Sequence, residues 1–105
     1  MTAVTRKQKL ESMLAAAPDD QMLRYMLAME LDKESDHEHS LELFRSLMHD
    51  APPYVPAFLM AGQMLARLQR TEDARTTYQA GIAEAKIQNN DHAAGEMSGF
   101  LQELE

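Results

Sequence analysis

A fixed offset of 34 residues constrains the fold of this chain more than any other feature. Leu10, Phe44 and Tyr78 stand 34 apart, as do Met13, Leu47 and Gly81, then Leu14, Met48 and Ile82, and then Ala17, Ala51 and Ala85. Pro18 returns as Pro52, Met26 as Met60, Leu27 as Ala61, Ala28 as Gly62, Leu31 as Leu65, Glu38 as Glu72 and Ser40 as Ala74. Large side chains recur with large, small with small, and turn proline with turn proline. Such a period implies a repeated supersecondary unit, each copy stacking on the next to bury a face it cannot bury alone.

The content of each period is helical. Four glycines, four prolines, abundant Ala, Leu, Met, Glu and Gln, and no β-branched run favour helix nearly everywhere. Thr5 and Gln8 have the spacing of a capping box and precede Leu10, Met13 and Leu14 at helical intervals, so a first helix is expected over 5–17, stopped by Pro18. A second follows the turn at Asp19 and Asp20 and ends near Asp32; it is apolar around most of its circumference, which predicts packing on two sides. Asp36 is a suitable N-cap for a third helix with Ser40, Leu43, Phe44, Leu47 and Met48 on one face, ended by Pro52 and Pro53. Pro56 suits the first turn of a fourth, which carries Phe58, Leu59, Met60, Ala61, Met64, Leu65 and Leu68. Thr71, Glu72 and Asp73 open a fifth, and a sixth lines up Met97, Phe100, Leu101 and Leu104.

The period and its contents resemble the tetratricopeptide repeat (TPR) family, whose helix-turn-helix unit of about 34 residues carries small and aromatic residues at set points. In the unit 55–88, Phe58 resembles the early aromatic, and Ala61 with Gly62 the leucine-glycine pair. Leu65 takes the bulky place, Ala74 the small residue of the second helix, Tyr78 its aromatic and Gly81 its second small residue. The unit 21–54 offers Leu27, Ala28, Leu31, Ser40, Phe44, Leu47 and Pro52. It departs at Arg24, where the early aromatic is missing, and both inter-helix turns, Lys33 to Ser35 and Gln69 to Thr71, lack the frequent glycine. The resemblance implies an all-α chain, a single domain over 1–105 forming a right-handed superhelix of about six helices. It comprises a half-repeat helix at 5–17, repeats at 21–54 and 55–88, and a capping helix at 91–104 whose Glu96, Glu103 and Glu105 face water.

By the same resemblance, the first helix of each unit forms a concave wall. Its groove places fall on Met22, Tyr25, Met29, Asp32 and Lys33, then on Leu59, Gln63, Ala66 and Arg67, with Met26 and Met60 near the floor. Methionine is flexible and polarizable, so such a wall adapts to varied apolar partners, although a methionine stripe at helical spacing also serves as plain core packing. TPR domains that clamp acidic C-terminal tails line the groove with Lys, Arg and Asn. Here only Lys33 and Arg67 are cationic, and both suit the end of a helix. The expected partner is therefore an apolar or amphipathic segment of another polypeptide, helical in form, or alternatively a second copy of the chain making a homodimer.

Other function classes find little support. Ten Lys plus Arg against seventeen Asp plus Glu give a net charge of −7, which repels phosphate backbones and anionic headgroups, so no nucleic acid and no membrane surface is expected as partner. No apolar run is long enough for a signal peptide or a membrane span, so the expected location is cytoplasmic. With no cysteine, the chain has neither disulfide nor thiolate chemistry. His37, Glu38 and His39 invite a metal reading, with an acidic helical metal-binding protein as the distant alternative, yet His37 and His39 diverge on a helix and His49 and His92 stand apart. No nucleophile-base pair, glycine-rich phosphate loop or cofactor fingerprint is present, so neither enzyme activity nor a cofactor is expected.

Overall fold

The structure, a computed structural model, describes residues 3–104. Among them are six helices and no strand: α1 (Arg6–Ala16), α2 (Gln21–Lys33), α3 (His37–Met48), α4 (Val55–Arg67), α5 (Thr71–Ile87) and α6 (Asp91–Glu103). The chain is an all-α helical-repeat fold whose contacts cluster into two compact units, Met1–Leu47 and Met48–Glu105.

The helix ends follow local chemistry. At α1, Thr5 Oγ1 accepts from the Gln8 backbone N–H at 3.1 Å while Gln8 Oε1 accepts from the Thr5 N–H at 3.0 Å, completing the capping box. Asp20 caps α2 by accepting from the Leu23 N–H at 2.9 Å, and Asn90 caps α6 by accepting from Ala93 at 3.1 Å. Pro56 sits in the first turn of α4, where its missing N–H costs nothing.

The turns that lack glycine still close as glycine turns do. Ser35, Gln69 and Asn89 take positive φ of 67°, 62° and 60°. In each case the next residue donates back across six residues: Asp36 to the Leu31 carbonyl at 2.8 Å, Arg70 to Leu65 at 2.9 Å and Asn90 to Ala85 at 2.7 Å. These are Schellman closures, and they satisfy carbonyls that the helix end leaves open. Asn tolerates the left-handed region; Ser and Gln carry strain there. Ser35→Gly and Gln69→Gly are each expected to raise the unfolding free energy by about 0.5–1 kcal/mol, read as a higher urea midpoint with unchanged slope.

In the first unit, Leu10 of α1 packs with Leu27 and Leu31 of α2, flanked by Leu14, Leu23, Met26 and Leu43. Two contacts tie α3 to α2. The Ser40 hydroxyl, fully buried, donates to the Ala28 carbonyl, and the Tyr25 ring meets Phe44 edge to face, centroids 6.1 Å apart. Arg24, where the aromatic is missing, uses its guanidinium instead: it reaches the Asp19 carbonyl at 3.1 Å and the Ser46 hydroxyl at 3.3 Å, so polar bonds stand at the place of the family's ring.

In the second unit, α5 packs against both α4 and α6. Gly62 of α4 lies under the Tyr78 ring so closely that a Cβ there would overlap Cε1. Tyr78 is buried and stacks on Phe100 of α6, centroids 6.1 Å apart. Gly81 of α5 sits between Phe58 and Met97, leaving no room for a Cβ. Small residues at these places are what let the helices approach.

Burial pushes the Tyr78 hydroxyl above its ordinary pKa of 10.0, and the nearby Glu103 carboxylate adds in the same direction. The unfolded chain thus ionises this phenol first as pH rises, so its contribution to stability is complete below pH 10.0 and is lost as pH climbs through the folded value. Tyr78→Phe, which installs the residue found at Phe44, is expected to flatten that alkaline loss. Thermal melts of the two proteins across the alkaline range check this.

Candidate protein-interaction site

Met22, Tyr25, Met26 and Met29 recur at helical three- and four-residue spacing and form a stripe along α2. Met22 is 54% exposed and Met29 40%, whereas Tyr25 and Met26 are half-buried. The two half-buried members have anchors in their own unit: Tyr25 rests on Phe44, and Met26 packs against the Leu10, Leu27 and Leu31 cluster. The stripe is therefore rigid at its base and open at its tips. Lys33 is exposed in the last turn of α2, where a cation suits the helix dipole, and the Asp32 carboxylate lies 3.1 Å from His37 Nδ1 at the turn.

On α4, Leu59, Gln63 and Arg67 stand four residues apart on one face, with Met60 beside them. Leu59, Met60 and Gln63 are half-buried and Arg67 is exposed. The methionines span both extremes of burial. Met64 and Met97 have no exposed surface and are core, while Met22 and Met29 offer apolar surface to solvent.

One feature escaped the sequence reading. Arg6, Lys9, Leu10 and Met13 of α1 with Leu23 and Met26 of α2 line an open cavity of about 240 Å³. The signal lay in the period: Arg6 takes the place that Ser40 and Ala74 hold with no exposed surface, and Met13, 47% exposed, takes that of Leu47 and Gly81.

The histidines pair off singly. His37 lies 3.1 Å from Asp32, His39 3.5 Å from Asp36 and His92 3.3 Å from Glu96. Among the described residues, no three His, Asp or Glu side chains gather as a metal site would need, and no helix is long and apolar enough to cross a membrane. Glu96 and Glu103 are exposed, and Glu105 lies outside the described residues.

No family model matches the chain. It is 27% identical over 96 residues to a TPR repeat-containing protein of Pseudomonas aeruginosa, covering 91% of each chain. The solution structure of a tetratricopeptide repeat domain protein from Salinibacter ruber superposes with a TM-score of 0.76 at 32% identity, over 82% of this chain and 87% of that one. The chain belongs to the tetratricopeptide repeat family. This TPR chain also matches a solution structure from Bordetella parapertussis, with a TM-score of 0.79 and 25% identity over 98% of this chain and 88% of that one. TPR proteins commonly mediate protein–protein interaction and are generally scaffolds without catalytic activity. The fold does not specify the partner, which has to be read from the side chains the TPR helices leave exposed.

Proposed function

We propose that this TPR chain is a cytoplasmic adaptor that takes an apolar or amphipathic helical segment of another polypeptide on the methionine stripe of α2. The observation that carries the reading is the exposure of Met22 and Met29, at 54% and 40%, above half-buried Tyr25 and Met26 on one helix face. Flexible thioethers on a fixed base suit an apolar partner whose side chains vary. Lys33 in the last turn of α2 supplies a rim cation for an acidic flank of the partner, and the second unit carries a separate stripe of its own, Leu59, Met60, Gln63 and Arg67 on α4.

Magnitudes point to moderate affinity. Burying four such side chains contributes about 6–12 kcal/mol gross, against an association cost of about 4–15 kcal/mol. Selection of helical peptides from a display library on the native chain, followed by affinity measurement on a Met22→Glu, Met29→Glu variant, tests the proposal. Losing two anchors removes at least about 3 kcal/mol, roughly a hundredfold in Kd. Equal affinity for the variant, with helicity preserved, rejects the α2 stripe as the contact surface.

A further inference from the structure

The faces of α1 and α6 differ from the equivalent faces of the internal helices in one respect: part of each is left open. On the second-helix pattern, Leu47 has no exposed surface and Gly81 is buried, but Met13 on α1 is 47% exposed. On the first-helix pattern, Leu27, Ala28 and Leu31 recur as Ala61, Gly62 and Leu65 and, two residues late, as Met97, Ser98 and Leu101. Ala28 and Leu31 have no exposed surface and Leu65 only 2%, whereas Ser98 and Leu101 are half-buried. Thus α1 is open at Met13 and α6 at Ser98 and Leu101, while Leu10, Ala94 and Met97 are already buried within their own chain.

We propose that copies of this chain join end to end, with α6 of one copy lying along α1 and α2 of the next. The contacts between α4 and α5 supply the template. There Phe58 meets Gly81 and Gly62 meets Tyr78, a large residue against a glycine each time. At the chain's two ends the sizes in the first pair are exchanged: Ala94 takes the place of Phe58, and Met13 that of Gly81. In the second pair Ser98 takes the place of Gly62, and Leu10 that of Tyr78. Small on α6 therefore stands opposite large on α1 at both places, Met13 and Ser98 being the open member of each pair and Ala94 and Leu10 the buried one.

Spacing adjusts to fit. Phe58 Cβ lies 2.5 Å from where a Cβ on Gly81 would stand, and Met13 carries a Cβ, so the incoming helix sits farther off than α4 does from α5. Arg6, in the place of Ser40 and Ala74, widens the gap further. Beside Met13 lies the 240 Å³ cavity between α1 and α2, larger than the roughly 150 Å³ that holds a benzene ring, and the half-buried Leu101 of α6 is the apolar side chain of the next copy that would enter it.

Charge selects the second copy over an arbitrary helix. Lys7 and Lys9 stand on α1 against the carboxylate of Glu11, with Arg6 paired to Glu30 of α2 at 3.3 Å, while α6 carries Asp91, Glu96 and Glu103 and no Lys or Arg. Opposite signs at the two ends favour head-to-tail meeting and oppose α1 meeting α1 or α6 meeting α6. Such a contact is heterologous, so it propagates into a ring or an open row rather than closing as a symmetric pair.

The absence of cysteine makes the test clean. Arg6→Cys and Leu101→Cys proteins, changed on the cavity's lining and at the side chain that enters it, are oxidised with diamide, separately and mixed, and resolved without reductant. The proposal expects a cross-linked pair in the mixture that is lost in either protein alone, because a disulfide needs its two Cβ atoms about 3.5–4.5 Å apart. It also expects the light-scattering mass of the native chain to rise from one chain to multiples with concentration, and Lys9→Glu to abolish that rise. Cross-linking in either single variant to the same extent as in the mixture, or a native mass that stays at one chain up to the solubility limit, overturns the proposal.

Discussion

Phe44→Ala is expected to lower the unfolding free energy by about 3–5 kcal/mol, a large share of the roughly 5–15 kcal/mol typical of a domain. Phe44 is 1% exposed, and its ring receives the edge of Tyr25 at 6.1 Å with planes 62° apart. Truncation removes both the buried area and the aromatic contact, and it leaves a cavity that a helix tied by Ser40 to Ala28 cannot collapse into freely. Urea unfolding followed by helicity reads the loss. Phe44→Leu, which installs the residue found at Leu10, is expected to lose less. An unchanged midpoint for Phe44→Ala contradicts the placement of Phe44 in the core.

Gly81→Leu is expected to destabilise the chain although leucine stands at the equivalent place, Leu47, with no exposed surface. The first carbon added at Gly81 meets Met97 Sδ and Phe58 Cβ, both at 2.5 Å. The methionine sulfur can swing away. The Phe58 Cβ cannot move without its helix, so α4 and α5 must separate and forfeit contact along the Gly62–Tyr78 crossing as well. Overpacking of this kind costs about 3 kcal/mol, and the helix propensity regained on leaving glycine offsets about 1, for a net loss of about 2 kcal/mol. Gly95→Ala is the control: nothing lies within 4 Å of its Cβ position, and the same urea measurement is expected to show a gain of about 0.4–1 kcal/mol.

These two positions show where sequence reading reaches and where it stops. The period located Phe44 and Gly81 and assigned each a helix, because helix ends here are written locally: in the Thr5 and Gln8 box, in Asp20, and in prolines that cannot continue a helix. It could not say that one place accepts Leu47 and the other no side chain at all, since that depends on which ring lies opposite. The turns at Ser35 and Gln69 were read as departures because glycine is absent, yet their closure is a matter of carbonyls needing donors, a demand that non-glycine residues meet at some strain. Arg24 likewise looked like a lost aromatic, when its guanidinium secures the same stretch through Asp19 and Ser46. Leu41, only 1% exposed, was missed from the core of α3 because it stands on the flank of the Ser40 and Phe44 face.

The candidate site was legible as residue types and less so as surfaces. Apolar residues cover most of α2 and α4, so periodicity alone could not separate core Met64 from half-buried Met60, or exposed Met22 from half-buried Met26. That separation comes from the neighbours each helix meets. The cavity beside Met13 needed the comparison of α1 with α3 and α5, place by place, and the exposure of each side chain.

Methyl resonances of the methionines, followed while a display-selected helical peptide is added to the full chain, test most directly whether the open stripe on α2 is the binding surface. Met22 and Met29 are predicted to shift with a common saturation curve while buried Met64 and Met97 stay near their free positions. A peptide that binds to saturation with Met22 and Met29 unmoved contradicts the account.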